Sequence, residues 1–207
     1  MVGRTHLYHI MKKTNLVPEP NITYYYKLFT SEECDWVVNN IPSFFPSLNF
    51  NMKERKSENT DYRTSSSYSD AKGIFNSIRQ KIFDSIKDQF DNITIEQLES
   101  LHILRYNEGE EYKKHTDFFN NPTTEVTDND RIATAILYLN EGFKGGETLF
   151  SDIGLKIVPE KGSLVFFDYK YSYETNNKTM HTGLPVIEGT KYIATIWVRK
   201  GPFTTRR

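Results

Sequence analysis

The sequence predicts a mainly β fold with N-terminal helices, its strands paired as an antiparallel sandwich or barrel, and three observations support this. After Asn92 the chain breaks into short β-branched or aromatic runs, "LHILRYN", "RIATAILYLN", "ETLF", "LKIV", "GSLVFFDY" and "KYIATIWVRK", a composition that suits half-buried strands. Glycine-containing turns, "NEGEE", "NEGFKGG", "VPEKG" and "IEGT", separate these runs with few helical patterns between them, which favours antiparallel pairing over a parallel α/β sheet. A length of 207 residues fits one domain with a sizeable core, because the fraction of surface buried rises with chain length. The expectation is one domain over residues 1–207, with 1–99 a mainly helical or irregular support and 100–200 the β core.

Taken in order, the N-terminal "MVGRTHLYHIMKKTNL" lacks the continuous apolar stretch of a signal peptide, and no run approaches the ~18–20 apolar residues of a membrane span. A soluble, intracellular protein with no membrane partner is expected. In "TSEECDWVVNNI", Thr30 followed three residues later by Glu33 fits a capping box, and Trp36, Val37 and Ile41 supply an apolar face. From Ser69, "SDAKGIFNSIRQKIFDSIKDQF" places Ile74, Ile78, Ile82, Ile86 and Phe90 four residues apart, with Phe75 and Phe83 widening the stripe. That spacing predicts an amphipathic helix packed against another layer. The polar stretches at 120–130 and 170–178 read as long loops, which in compact domains often carry binding functions.

Charge and cysteine content narrow the function. With 26 basic and 27 acidic residues the formal net charge is −1, so no overall positive field draws the protein to nucleic acid. A single cysteine, Cys34, excludes an intramolecular disulfide and any multi-cysteine metal cluster.

The chemistry concentrates in "YKKHTDFF", residues 112–119. Side chains two apart on an extended segment point the same way, so His115 and Asp117 can reach one ion. His181 follows 66 residues later beside another strand. Two histidines and a carboxylate on one face of a metal leave open positions, the arrangement of non-haem Fe(II) oxygenases. The same ligands on zinc would suit hydrolysis, so the donor types alone do not choose between them. Along the last strand, Lys191, Ile193, Thr195 and Trp197 share one face and Tyr192, Ala194, Ile196 and Val198 the other. Other candidates carry less. His6 and His9 sit near the terminus, His102 shares a strand face with Leu104 and Tyr106, Gly145 and Gly146 mark a tight turn, and the serine run 65–67 reads as strand or loop surface.

In order, "RYNEGEEYKKHTDFF", "RIATAILYLNEGFKGGETLF", "KGSLVFFDY" and "MHTGLPVIEGTKYIATIWVRK" resemble the catalytic domain of prolyl 4-hydroxylases, which are Fe(II)- and 2-oxoglutarate-dependent dioxygenases. "DYRTSSSY" and "IFNSIRQKI" upstream extend the likeness to about residues 61–200. The resemblance implies a double-stranded β-helix, or jelly-roll, core. It implies iron ligation by His115, Asp117 and His181, with Lys191 pairing the distal carboxylate of 2-oxoglutarate and Tyr106 and Thr148 assisting. It places Tyr112, Arg131 and Trp197 along a groove for a proline-containing peptide or protein substrate. The implied reaction is hydroxylation of peptidyl proline at C4 with O2, releasing succinate and CO2, with ascorbate as reductant. A related dioxygenase acting on another side chain or a nucleic-acid base, and a non-catalytic peptide-binding β-barrel, are the competing readings.

Overall fold

The computed structural model describes residues 12–51, 56–58, 61–118, 130–169 and 177–203. His6, His9 and most of the two polar stretches at 120–130 and 170–178 lie outside them. Two antiparallel sheets dominate. The larger has eight strands, in spatial order Lys12–Val17, Ile22–Tyr26, Leu164–Asp168, Arg131–Tyr138, Lys191–Arg199, His102–Tyr106, Ser66–Ser69 and Phe45–Pro46. The smaller has four, Leu155–Ile157, Thr148–Phe150, His181–Gly183 and Tyr112–His115. Among the described residues no helix is long and apolar enough to cross a membrane.

Strand parity divides the interior into two cores. On one face of the large sheet, Ile103, Ala133, Ala135, Leu137, Ala194, Ile196 and Val198 meet the helices through Val37, Phe75, Ile78, Ile82 and Ile86. On the other, Leu104, Tyr106, Ile136, Tyr138 and Ile193 meet Phe150 and Ile157 of the small sheet. Successive residues of one strand therefore serve different cores, as a period of two requires. Two stacked antiparallel sheets of this kind form the jelly roll that the sequence resemblance implies.

The helices begin where side chains satisfy their first amides. Thr30 caps Ser31–Asn39, and its hydroxyl and the Glu33 carboxylate exchange hydrogen bonds with each other's backbone. The second helix, Asn76–Ile86, starts later than its apolar stripe suggests. Gly73 turns with φ +72°, and the Asp70 carboxylate accepts from the amides of Ile74 and Phe75 at 2.8 and 2.7 Å. Ile78, Ile82 and Ile86 are buried, whereas Ile74 is left exposed ahead of the helix. The segment before residue 100 also differs from a mainly helical or irregular support. It supplies four strands to the large sheet and the separate ribbon Asn49–Asn51 with Lys56–Glu58. Aromatic and β-branched residues in "ITYYY" suit Ile22–Tyr26 to pairing with Leu164–Asp168.

Candidate metal centre and its cavity

Tyr112–His115 runs antiparallel to His181–Gly183, with His115 opposite His181. Cross-strand partners bring side chains together, and here the two imidazole centroids are 4.2 Å apart. Asp117, just past the strand, completes a buried cluster whose candidate donor atoms all lie within 4.8 Å of one another. His115 Nε2 is 3.6 Å from Asp117 Oδ1, and His181 Nε2 is 3.8 Å from Asp117 Oδ2. These separations are too long for direct hydrogen bonds and short enough for three groups to share one ion.

The opposite edge of each imidazole fixes its tautomer. His115 Nδ1 donates to the Lys113 carbonyl at 2.8 Å and His181 Nδ1 to the Thr179 carbonyl at 3.0 Å. A carbonyl only accepts, so the proton sits on Nδ1 and the Nε2 lone pair faces the cluster. Burial and the neighbouring His181 hold His115 down to about 3, keeping it neutral near pH 7. Burial works to raise the Asp117 carboxyl, but His181, His115 and Arg131 outweigh it and its pKa falls below the ordinary value. A neutral His115 and an ionised Asp117 are in the protonation states that metal ligation requires. The donor set therefore fits Fe(II).

The cluster lies in a cavity whose walls include Arg63, Tyr106, Tyr112, Thr148, Lys191 and Trp197. Lys191, Ile193, Thr195 and Trp197 all line it, while Ala194, Ile196 and Val198 pack toward the helices, as the parity of the last strand predicts. Lys191 is 3 % exposed. Its ammonium donates to the Gly146 carbonyl at 2.6 Å and sits 5.3 Å from the Tyr106 ring and 5.9 Å from the Tyr138 ring. Burial lowers its pKa to about 8, with Glu147 acting in opposition. Gly146 permits the approach, since a Cβ there would stand 3.0 Å from Lys191 Cδ and the backbone has φ +67°. Thr148 lies on the small-sheet wall and accepts from the Tyr138 hydroxyl at 2.9 Å.

The three expected groove residues occupy different settings. Tyr112 stacks on His115 with centroids 3.5 Å apart and rings 14° from parallel. Trp197 lines the large-sheet wall. Arg131 does not line the cavity. Its guanidinium stacks on Trp197 at 3.8 Å, pairs with Glu99 at 2.8 Å and donates to the Asp117 carbonyl at 3.3 Å. Glu99 also pairs with Arg199 at 2.6 Å. Arg131 thus connects the backbone beside the cluster to the wall of the cavity. His102 packs against Trp197, centroids 5.7 Å apart, and burial with nearby Arg63 and Arg131 lowers its pKa to about 3.

Some site residues escaped the sequence reasoning. Arg63 is buried in the wall, 4.8 Å from the Tyr112 ring, with Nε 3.3 Å from the Ser65 hydroxyl. Ser65 is buried, not on the surface, and its hydroxyl also bonds Ser47 at 2.9 Å. The serine run carried no chemical signal by itself; Ser66 and Ser67 are half-buried, and Ser65 adjoins Ser66–Ser69, which pairs between two other strands. Thr134 and Tyr169 also escaped notice, although the Thr134 hydroxyl reaches Asp117 Oδ2 at 2.9 Å.

Fold and site together define a 2OG-Fe(II) oxygenase, and that superfamily matches residues 101–199. The chain is 32% identical to probable prolyl 4-hydroxylase 8 of Arabidopsis thaliana, covering 86% of this chain and 68% of that protein. Prolyl 4-hydroxylase 2 of the same plant is 30% identical, covering 89% of this chain and 69% of the relative. Among solved structures, viral collagen prolyl hydroxylase from Paramecium Bursaria Chlorella virus-1, in its 2OG complex, is 26% identical with a TM-score of 0.62, covering 86% of this chain and 94% of that one. The chain belongs to the prolyl 4-hydroxylase family.

Proposed function

We propose that this chain hydroxylates peptidyl proline at C4, using Fe(II), 2-oxoglutarate and O2, with succinate and CO2 as co-products. The observation that carries the reading is the cavity itself: a His, Asp, His donor cluster and a buried lysine face one space. The family supports the same reaction class. Bound iron supplies the oxidising chemistry, in which one oxygen atom of O2 enters the proline C–H bond and the other enters succinate.

His115, Asp117 and His181 would hold the iron, both imidazoles oriented by their Nδ1 bonds to backbone carbonyls. Lys191 binds the distal carboxylate of 2-oxoglutarate, a charge-assisted contact that takes an ammonium out of an otherwise unfavourable burial. Tyr106 and Thr148 border the same end of the cavity and offer hydroxyls to the cosubstrate. Tyr112 and Trp197 present aromatic surface to an extended proline-rich peptide, which loses little entropy on docking because proline already restrains it near polyproline II. Arg131 serves this groove by supporting Trp197. Ascorbate restores enzyme after turnovers that miss the peptide. A proline-containing peptide or protein is therefore the substrate.

Incubation of the iron-loaded protein with 2-oxoglutarate, O2 and a poly-proline peptide should add one oxygen atom to proline for each succinate formed. Tandem mass spectrometry locates the added oxygen. Succinate without peptide oxidation would overturn the peptidyl-proline assignment and leave the iron site standing.

A further inference from the structure

We infer that Tyr169 and Thr134 form a one-way hydrogen-bond relay that positions Asp117 and thereby sets how firmly the cluster holds its metal. The inference rests on the iron-site reading above and deepens it. Thr134 projects from Arg131–Tyr138 on the cavity side and is fully buried. Its hydroxyl lies 2.9 Å from Asp117 Oδ2. An ionised carboxylate cannot donate, so Thr134 spends its single proton on Asp117. Its oxygen is then an acceptor toward the Tyr169 hydroxyl, with which it makes a short contact. Direction follows: Tyr169 donates to Thr134, and Thr134 donates to Asp117.

The outer member of the relay is itself held. Its backbone amide donates to the Ile132 carbonyl at 2.9 Å, and its ring packs against Phe118 at 5.5 Å and Phe167 at 6.0 Å. Tyr169 is buried beside these rings, so its hydroxyl has little freedom to turn away. Asp117 differs from the two histidines in what anchors it. Each imidazole is fixed by a backbone carbonyl two residues earlier, whereas the carboxylate is fixed through its side chain by a residue 17 positions later. Without that donor the carboxylate is freer to rotate away from the histidines. Outer groups of this kind commonly contribute 10- to 100-fold to metal affinity. Thr134 and Tyr169 are positioning residues that act through Asp117.

Anaerobic titration of the full chain with Co(II), read by its visible ligand-field spectrum, tests the relay without turnover. Thr134→Val keeps the shape and removes the hydroxyl; it should weaken Co(II) about tenfold and shift the spectrum. Tyr169→Phe should weaken binding about threefold with a smaller shift. Thr134→Ser should restore wild-type affinity and spectrum. Wild-type behaviour in both Thr134→Val and Tyr169→Phe would overturn the inference. So would a Thr134→Ser variant as impaired as Thr134→Val, because the methyl group and not the hydroxyl would then matter. If Thr134→Val fails to fold, wild-type Co(II) affinity and spectrum in Tyr169→Phe, or a weakened Thr134→Ser, would overturn the inference. A wild type that takes up no Co(II), or a His181→Ala variant that binds as wild type does, would instead refute the metal site itself.

Discussion

The two walls of the cavity are built by different means. On the small-sheet side, His115 and His181 come from strands of four and three residues. Such short elements owe little to ladder bonds, and local contacts supply the precision, including the matched Nδ1 bonds to carbonyls two residues back. On the large-sheet side, Lys191 and Trp197 come from a nine-residue strand flanked by His102–Tyr106 and Arg131–Tyr138. Its reverse face carries Ala194, Ile196 and Val198 into the helix-side core. That wall is held by packing as well as hydrogen bonds. On the proposed reading the iron ligands depend on the wall of local side-chain bonds, whereas Lys191 and Trp197, proposed for 2-oxoglutarate and peptide, depend on the wall of global packing, so damage to each should read out differently.

The largest effect separates them most clearly. His181→Ala should lower turnover on the order of 1000-fold, equivalent to about 4 kcal/mol of barrier, with 2-oxoglutarate unable to compensate at any concentration. Turnover within tenfold of wild type in an activity assay would contradict the assignment. Lys191→Ala should raise the 2-oxoglutarate requirement about 10- to 100-fold, since a buried charged hydrogen bond contributes ~1.5–3 kcal/mol, while metal uptake persists. Lys191→Arg should also be impaired, because the planar fork does not reproduce the ammonium. An unchanged cosubstrate titration in both variants would make the lysine a bystander.

The lysine also gives the large-sheet wall a pH signature. Its pKa in the folded protein is about 8, against an ordinary 10.5. Between those values the unfolded chain carries the proton and the folded chain does not, so this group makes stability rise with pH from about 8 to about 10.5. Below about 8 the buried ammonium opposes folding unless an anion joins it. Binding 2-oxoglutarate above about pH 8 requires proton uptake, so affinity should fall by up to about tenfold per pH unit there. Calorimetry in buffers of different ionisation enthalpy measures the uptake directly; none at pH 9 would refute it. Smaller again, Trp197→Ala should reduce peptide-stimulated succinate formation several-fold more than the peptide-free rate. Equal losses with and without peptide would place the tryptophan outside substrate binding.

Elements that depend on their own periodicity were legible in the sequence. The six apolar runs after Asn92 all contain strands, and the alternation from Lys191 to Trp197 already identified which side chains face the cavity. The capping box at Thr30 was equally local. Less legible were features defined by partners far along the chain. Tyr112–His115 and His181–Gly183 carry no apolar run to mark them, and Tyr112–His115 exists because His181–Gly183 lies beside it. The strands before residue 100 are sheet members through pairing with distant segments, Leu164–Asp168 in one case and His102–Tyr106 in another. The donor triad was readable as a pattern of residue types, but Arg63, Thr134 and Tyr169 carry no motif and become visible only through their distances to Tyr112 and Asp117. Arg131 shows the converse. Its position in the pattern suggested contact with substrate, while its guanidinium is engaged by Glu99, Trp197 and the Asp117 carbonyl.

Anaerobic Fe(II) titration of wild type, His115→Ala, Asp117→Ala, His181→Ala and Lys191→Ala tests the division of labour between the two walls most directly. The account predicts one Fe(II) per chain in wild type and in Lys191→Ala, with uptake impaired in each of the other three. Full iron loading in all three ligand variants, or loss of iron in Lys191→Ala comparable to theirs, would contradict it.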